Sequence, residues 1–338
     1  MKNALIVYTC CIFLSVVFSS DKYTSLFGNP SRFDGILYEF FLIGICFALA
    51  YLAYFQKFSA KVFYVPILLL QSIVSIDIVR VLAPNLFRVS IEYFPQWASF
   101  LGHPQYAIGF LGVSFFSTMY VFERTRHPLL KLVLGILQTL TVFAIALNHS
   151  WSSMFFLGTY VLLYFGKKSN THKKITVLTC ILLLSVLLNQ YAQRVLFSGR
   201  IHEFTYIIQS RERIWISGLI GWSKRPLFGW GWANYNYAFS SAQWPYPVEH
   251  DFIVDQSHGL FIGLLAETGL IGAGAGLYFL VQMLKTFSKK HFSFWLQVIF
   301  LVYLVHAQFS IVHILEKVIF WISVGMIMRK EDIGQNTT

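Results

Sequence analysis

His258 stands at the head of a long apolar run, SHGLFIGLLAETGLIG (257–272). An imidazole titrates near neutral pH, so at the mouth of a helix it could take the proton of an attacking hydroxyl. The plainer alternative is a ring that caps a membrane helix at the water interface. Just upstream, Arg194, Arg200, Arg211, Arg213, Lys224 and Arg225 crowd one polar stretch. Guanidinium groups stay charged at physiological pH and grip phosphate bidentately. Beside a membrane they suit a diphosphate, or simply anionic lipid headgroups. Arg211 stands out because it precedes Trp215 by four residues and shares its helix face. Glu249, His250 and Asp255 are alternative bases close to His258. Glu267 would lie on the opposite helix face, about 13 Å deeper, as a buried partner in packing.

Between these groups runs PLFGWGWANYNYAF (226–239). Gly229 and Gly231 allow a tight turn, or close approach of backbone N–H groups to an anion. No strand–turn–helix unit surrounds them, so they form no nucleotide fingerprint. Trp222, Trp230, Trp232, Tyr235, Tyr237, Trp244 and Tyr246 crowd the same region. They are either an interfacial aromatic belt or platforms for sugar rings. Asp77 and Arg80, three residues apart, read as an intrahelical pair. Arg80 is an outside candidate for the anion site.

The elements that must hold these residues are membrane helices. The chain has 338 residues, 56% of them hydrophobic and 12% charged, with a mean hydropathy of +0.60. Apolar runs close to the ~20 residues that span a bilayer recur along its length. We read about ten spans, at 3–19, 36–55, 61–83, 105–122, 129–147, 151–166, 175–190, 257–284, 292–312 and 316–328. The fold class is an all-α polytopic membrane protein. Residues 1–190 form an N-terminal bundle, 191–256 a long outer loop, and 257–338 the C-terminal helices. Within the loop, 200–222 reads as an amphipathic interfacial helix with Ile201, Phe204, Trp215, Leu219 and Trp222 on its apolar side, ended by Pro226. Lysines and arginines collect in alternate connections, which places both termini in the cytoplasm and the long loop outside. The net charge of +11 is then mostly a topology signal, and nucleic acid is not an expected partner. Cys10, Cys11, Cys46 and Cys180 fall in apolar runs and carry no metal or redox signature.

Several blocks together resemble the bacterial O-antigen ligase and polymerase family. They are R-x-x-x-W at 211–215, P-L-F-G-x-G at 226–231 and H-x10-G-x-x-G at 258–272. FLGHPQYA (100–107) and LNHSWSSMFFL (147–157) resemble its upstream segments, and the family region covers about 140–285. Gln105, Trp151 and Gly259 depart from the usual residues, which are Asn, Arg, and one of Asn, Ser or Gln. The resemblance implies a C-type glycosyltransferase-like fold, no metal and no nucleotide cofactor. It implies a glycan donor on undecaprenyl diphosphate at the outer face of the bacterial cytoplasmic membrane. The acceptor would be lipid A–core sugar (ligase) or another lipid-linked repeat (polymerase), with membrane lipid and a chain-length regulator as further partners.

In that chemistry His258 and Arg211 are the expected catalytic pair. Arg200, Arg213, Arg80, Trp215, Gly229 and Gly231 are the expected diphosphate- and glycan-binding residues. A lipid-linked glycan flippase, or a non-catalytic assembly partner, is the alternative. The flippase would be expected to carry charges through its spans to line a conduit.

Overall fold

A computed structural model describes residues 1–29, 34–55, 61–82, 101, 104–147, 151–166, 201–242, 254–287 and 294–335. Regular structure among them is entirely helical. The longer helices are α1 (Lys2–Val17), α3 (Ile36–Phe55), α4 (Lys61–Leu82), α5 (Pro104–Arg124), α6 (Pro128–Leu147), α7 (Trp151–Gly166), α8 (Ile201–Lys224), α10 (Leu260–Phe287), α11 (Phe294–Phe309) and α12 (Ile314–Gln335). Two short helices, α2 (Lys22–Phe27) and α9 (Tyr235–Ser241), sit in connections and were not expected. Tyr106–Arg124, Pro128–Leu147 and Leu260–Phe287 are long and apolar enough to cross a membrane. Lys2–Val17, Ile36–Ala48 and Phe294–Phe309 are shorter apolar helices. The chain is an integral, polytopic membrane protein. The expected span at 175–190 lies outside the described residues.

Contacts group the chain differently from a division at 190 and 256. Met1–Phe58 and Phe204–Thr338 form one compact unit, and Ser59–Glu203 forms the other. In the second unit, small polar side chains join apolar helices, as they do where no water competes for them. Gln71 of α4 donates to Thr141 of α6 at 2.9 Å and accepts from Thr118 of α5 at 2.6 Å. Arg80, at the end of α4, is paired with Asp77 at 2.8 Å, as expected for an intrahelical pair.

The first unit holds the long loop and the C-terminal helices. Here α3 lies along α12, close enough that a Cβ on Gly325 would come within 2.7 Å of the Cys46 carbonyl. α1 lies along α10, with Tyr8 stacked on Phe279 at 5.9 Å. Two carboxylates inside these helices are matched. The Glu39 carboxylate binds Lys317 Nζ at 3.1 Å and accepts from Trp321 Nε1 at 2.9 Å. Glu316 binds His306 Nδ1 at 3.0 Å. An unmatched charge at a helix centre would cost about 2.5–3.5 kcal/mol on the insertion scale.

α8 runs over nearly the expected residues and stops before Pro226. Its apolar side is expected at the membrane interface, and the helix packs through another face. Arg213, Ile214, Ser217, Gly218 and Gly221 are buried, while Ile216, Leu219 and Ile220 are exposed. The small residues admit α9. A Cβ on Gly221 would lie 2.3 Å from the Ala238 carbonyl, and one on Gly218 would lie 2.5 Å from the Tyr235 hydroxyl. The outward apolar face suits the membrane interface.

Candidate active site

The site is built on a break in a helix. α10 is interrupted at Gly269, where φ is 64° and ψ is −167°. In an unbroken helix the N–H groups of Leu270 and Ile271 would bond to the carbonyls of Ala266 and Glu267. Here they donate instead to the carbonyls of Pro226 and Leu227, at 2.8 and 3.2 Å. The released carbonyls of Ala266 and Glu267 accept from the N–H groups of Trp230 and Gly231, at 3.0 and 2.8 Å. The Pro226–Gly231 segment is thus inserted into α10, and four hydrogen bonds replace two.

This explains why the two blocks occur together. A Cβ on Gly269 would sit 2.3 Å from the Leu227 carbonyl, and one on Gly229 (φ 69°) 2.4 Å from the Glu267 backbone. Gly269 serves close approach of the inserted segment, not of a neighbouring helix. Gly272 faces Thr268 of its own helix, and Gly276 makes only ordinary contact with Tyr8. The expectation that Gly229 and Gly231 bind an anion through their N–H groups meets a physical obstacle. Gly229 N–H donates to the Arg225 carbonyl at 3.0 Å, and Gly231 N–H is held by Glu267.

The insert is latched to the N-terminal hairpin. Ser20 N–H donates to the Trp230 carbonyl at 3.0 Å, and Arg225 bonds Ser20 Oγ at 2.8 Å while lying 4.3 Å over the Trp230 ring. Asn234 Nδ2 reaches Ser19 Oγ, the Asp21 carbonyl and Ser25 Oγ at 2.6–3.0 Å. Trp232 Nε1 donates to the Asp34 carbonyl at 2.8 Å. Arg225, Trp230 and Trp232 are therefore committed to structure. Tyr235 is buried and donates to the Ile214 carbonyl at 2.6 Å; burial raises its hydroxyl well above the ordinary tyrosine value. Glu267 accepts from Ala233 N–H at 3.0 Å through its carboxylate, which makes it a tie between α10 and the insert.

His258 occupies the turn just ahead of α10. It is half-buried, and its φ of 50° lies in the left-handed region, which non-glycine residues seldom enter. The buried Ser257 hydroxyl brackets the turn, accepting from Gly259 N–H at 3.2 Å and donating to the Gly259 carbonyl at 2.6 Å. On one flank lies Trp215 of α8, whose Nε1 would be 3.1 Å from a Cβ on Gly259. Beside it lies Gln308 of α11, whose backbone carbonyl would be 3.4 Å from the same Cβ and whose side-chain carbonyl accepts from Phe261 N–H at 3.0 Å. Trp215 also leans on Phe309, with ring centroids 6.4 Å apart.

Trp215 brings α8 to the histidine turn. Arg211, one turn earlier on α8, is half-buried, and among the described residues no carboxylate pairs with it. Burial pulls its guanidinium below the ordinary value, yet arginine remains a cation at neutral pH. Arg213 is two residues further, about 200° around the helix. It is buried and lies 5.9 Å over the Phe239 ring of α9, away from the Arg211 face. Spacing alone could have separated these two arginines. Arg200, with Arg194, Glu249, His250, Trp244 and Tyr246, lies outside the described residues. Arg80 belongs to the other unit, is 46% exposed, and is engaged by Asp77.

The family model described as O-antigen ligase matches residues 136–277. This stretch is similar to the O-antigen ligase family. It contains Arg211, Trp215, the insert, His258 and the Gly269 break, so the resemblance carried by the sequence blocks is borne out. The match implies membrane glycosyltransferase chemistry of ligase or polymerase type in surface polysaccharide synthesis. No curated protein and no solved structure shows significant similarity to the chain.

Proposed function

We propose that the protein transfers or polymerises an undecaprenyl-diphosphate-linked oligosaccharide at the outer face of the bacterial cytoplasmic membrane. The observation that carries this is the contact of Trp215 with the His258 turn. One helical turn before Trp215 on α8 stands Arg211, half-buried and with no carboxylate paired to it among the described residues. A base and a fixed cation on two elements that meet at this contact are what glycosyl transfer from a diphosphate needs.

In the proposed step the acceptor hydroxyl attacks the anomeric carbon of the donor, and its proton passes to His258. The bond between that carbon and the diphosphate oxygen breaks, with inversion, and undecaprenyl diphosphate leaves with the electron pair. Arg211 stabilises the charge developing on the departing diphosphate. Preorganised donors of this kind are worth about 3–4 kcal/mol each. The outward-facing Ile216, Leu219 and Ile220 of α8 give the helix an apolar side for the lipid interface. Both termini are assigned to the cytoplasm by the basic connections.

Purified protein supplied with a lipid-diphosphate glycan in detergent, without nucleotide, should form a longer or transferred glycan. A flippase or an assembly partner would yield no new glycosidic bond. His258→Ala and Arg211→Ala should each lower product formation at least about 100-fold at normal expression.

A further inference from the structure

The left-handed backbone of His258 needs a cause. A non-glycine residue there stores about 1–3 kcal/mol of strain and persists only where its surroundings over-determine it. Two side chains do so. The Ser257 hydroxyl bonds both the N–H and the carbonyl of Gly259, closing a ring across His258. The Gln308 side-chain carbonyl accepts from Phe261 N–H in the first turn of α10, and the Gln308 backbone carbonyl lies 3.4 Å from where a Gly259 Cβ would be. First-turn N–H groups have no partner within their own helix, so an acceptor from α11 fixes where that helix begins. Ser257 holds the turn from within the segment, and Gln308 holds it from the neighbouring helix.

We propose that Gln308, with Ser257, is a positioning residue for transfer: the two form a clamp that fixes the backbone of His258, and with it the direction of the imidazole. The inference rests on the role assigned to His258 above. Gln308 lies beyond the matched family region, so nothing in that match assigns it a role.

Three features make the clamp separable from general stability. The Gln308 bond touches only the start of α10. Loss of the acceptor should misplace the ring by a fraction of an ångström to an ångström, and misplacement of that order costs up to about 100-fold in rate. The donor's diphosphate is held elsewhere, by Arg211, so its binding should be spared.

The test uses the full-length protein in detergent with a lipid-diphosphate glycan. Gln308→Leu keeps the bulk and removes the acceptor. It should lower kcat about 10- to 100-fold with little change in the KM for the donor and an unchanged melting temperature. Gln308→Glu supplies an acceptor again, a carboxylate at a helix N-terminus, and should recover most of kcat. In a His258→Ala background, Gln308→Leu should cost nothing further. Wild-type kcat for Gln308→Leu, while His258→Ala is slowed at least about 100-fold, would overturn the clamp and leave the site assignment standing. A fall in melting temperature that accounts for the lost activity, with no recovery in Gln308→Glu, would also overturn it. Full activity of His258→Ala would overturn the site assignment and the clamp together.

Discussion

Replacing Gly269 by alanine should damage the protein far more than a methyl group in an apolar helix usually does. Its backbone, at φ 64° and ψ −167°, lies in a region essentially reserved for glycine, and strain there costs about 1–3 kcal/mol. The new Cβ would also sit 2.3 Å from the Leu227 carbonyl and 2.6 Å from Phe228 N, and both are backbone atoms that cannot swing aside. If the Pro226–Gly231 segment backs out, its four hydrogen bonds to α10 are lost, each worth about 0.5–1.5 kcal/mol net. Strain relieved and bonds lost are alternatives in part, so a destabilisation of about 3–5 kcal/mol is expected. Gly274, on the same helix, has no neighbour within 4 Å of a Cβ. Alanine there should be neutral or stabilising by up to about 1 kcal/mol through helix propensity. Thermal unfolding in detergent, paired with hydrogen exchange at Trp230 and Gly231, reads both effects. Equal melting temperatures and unchanged protection for the two variants would refute the inserted segment as the reason for this glycine.

Gly259→Ser, which restores a residue usual in the family, should lower activity here, because its Cβ meets Trp215 Nε1 at 3.1 Å; a companion Trp215→Phe should recover part of it, measured as transfer rate. Lys317→Met leaves Glu39 without its cation inside the helical unit and should destabilise by about 3–5 kcal/mol, whereas adding Glu39→Leu should restore most of the melting temperature. His313, in the α11–α12 connection, accepts from Leu315 N–H through Nδ1, and burial holds its ring below the ordinary value of 6.5 despite the nearby Glu316. The unfolded chain therefore takes up a proton that the folded one resists. Stability should fall as pH drops from 7 through 6.5 and below, and His313→Asn should flatten that part of a melting-temperature profile.

Much of the helical layout was legible because apolar runs of bilayer length announce themselves, and the described helices follow the expected runs closely. The packed face of α8 was not. Leu219 is apolar, but so is a lipid-facing surface, and hydrophobic periodicity cannot tell a protein-facing side from a lipid-facing one. Gly218 and Gly221, which admit α9, carry almost no hydropathy signal. Gly269 was visible as a family residue, but its left-handed break and the segment it receives depend on residues 226–231, forty positions upstream. Of the site, His258, Arg211 and Trp215 followed from residue type and spacing. Gln308 did not, because a side chain that accepts one backbone N–H from another helix leaves no pattern in the sequence. Nor did Ser257, whose hydroxyl bonds Gly259 ahead of α10 and makes no helix-capping bond.

The central claim is that His258 and Arg211 act together on a lipid-diphosphate glycan. Its most direct measurement is single-turnover transfer by purified protein with a defined undecaprenyl-diphosphate glycan and acceptor, without nucleotide. The rate should depend on pH through one deprotonation in the wild type. It should drop at least about 100-fold in Arg211→Ala, as the loss of one preorganised charge requires, and lose its pH-dependent component in His258→Ala. Product formed at the wild-type rate and pH profile by either variant would contradict the assignment.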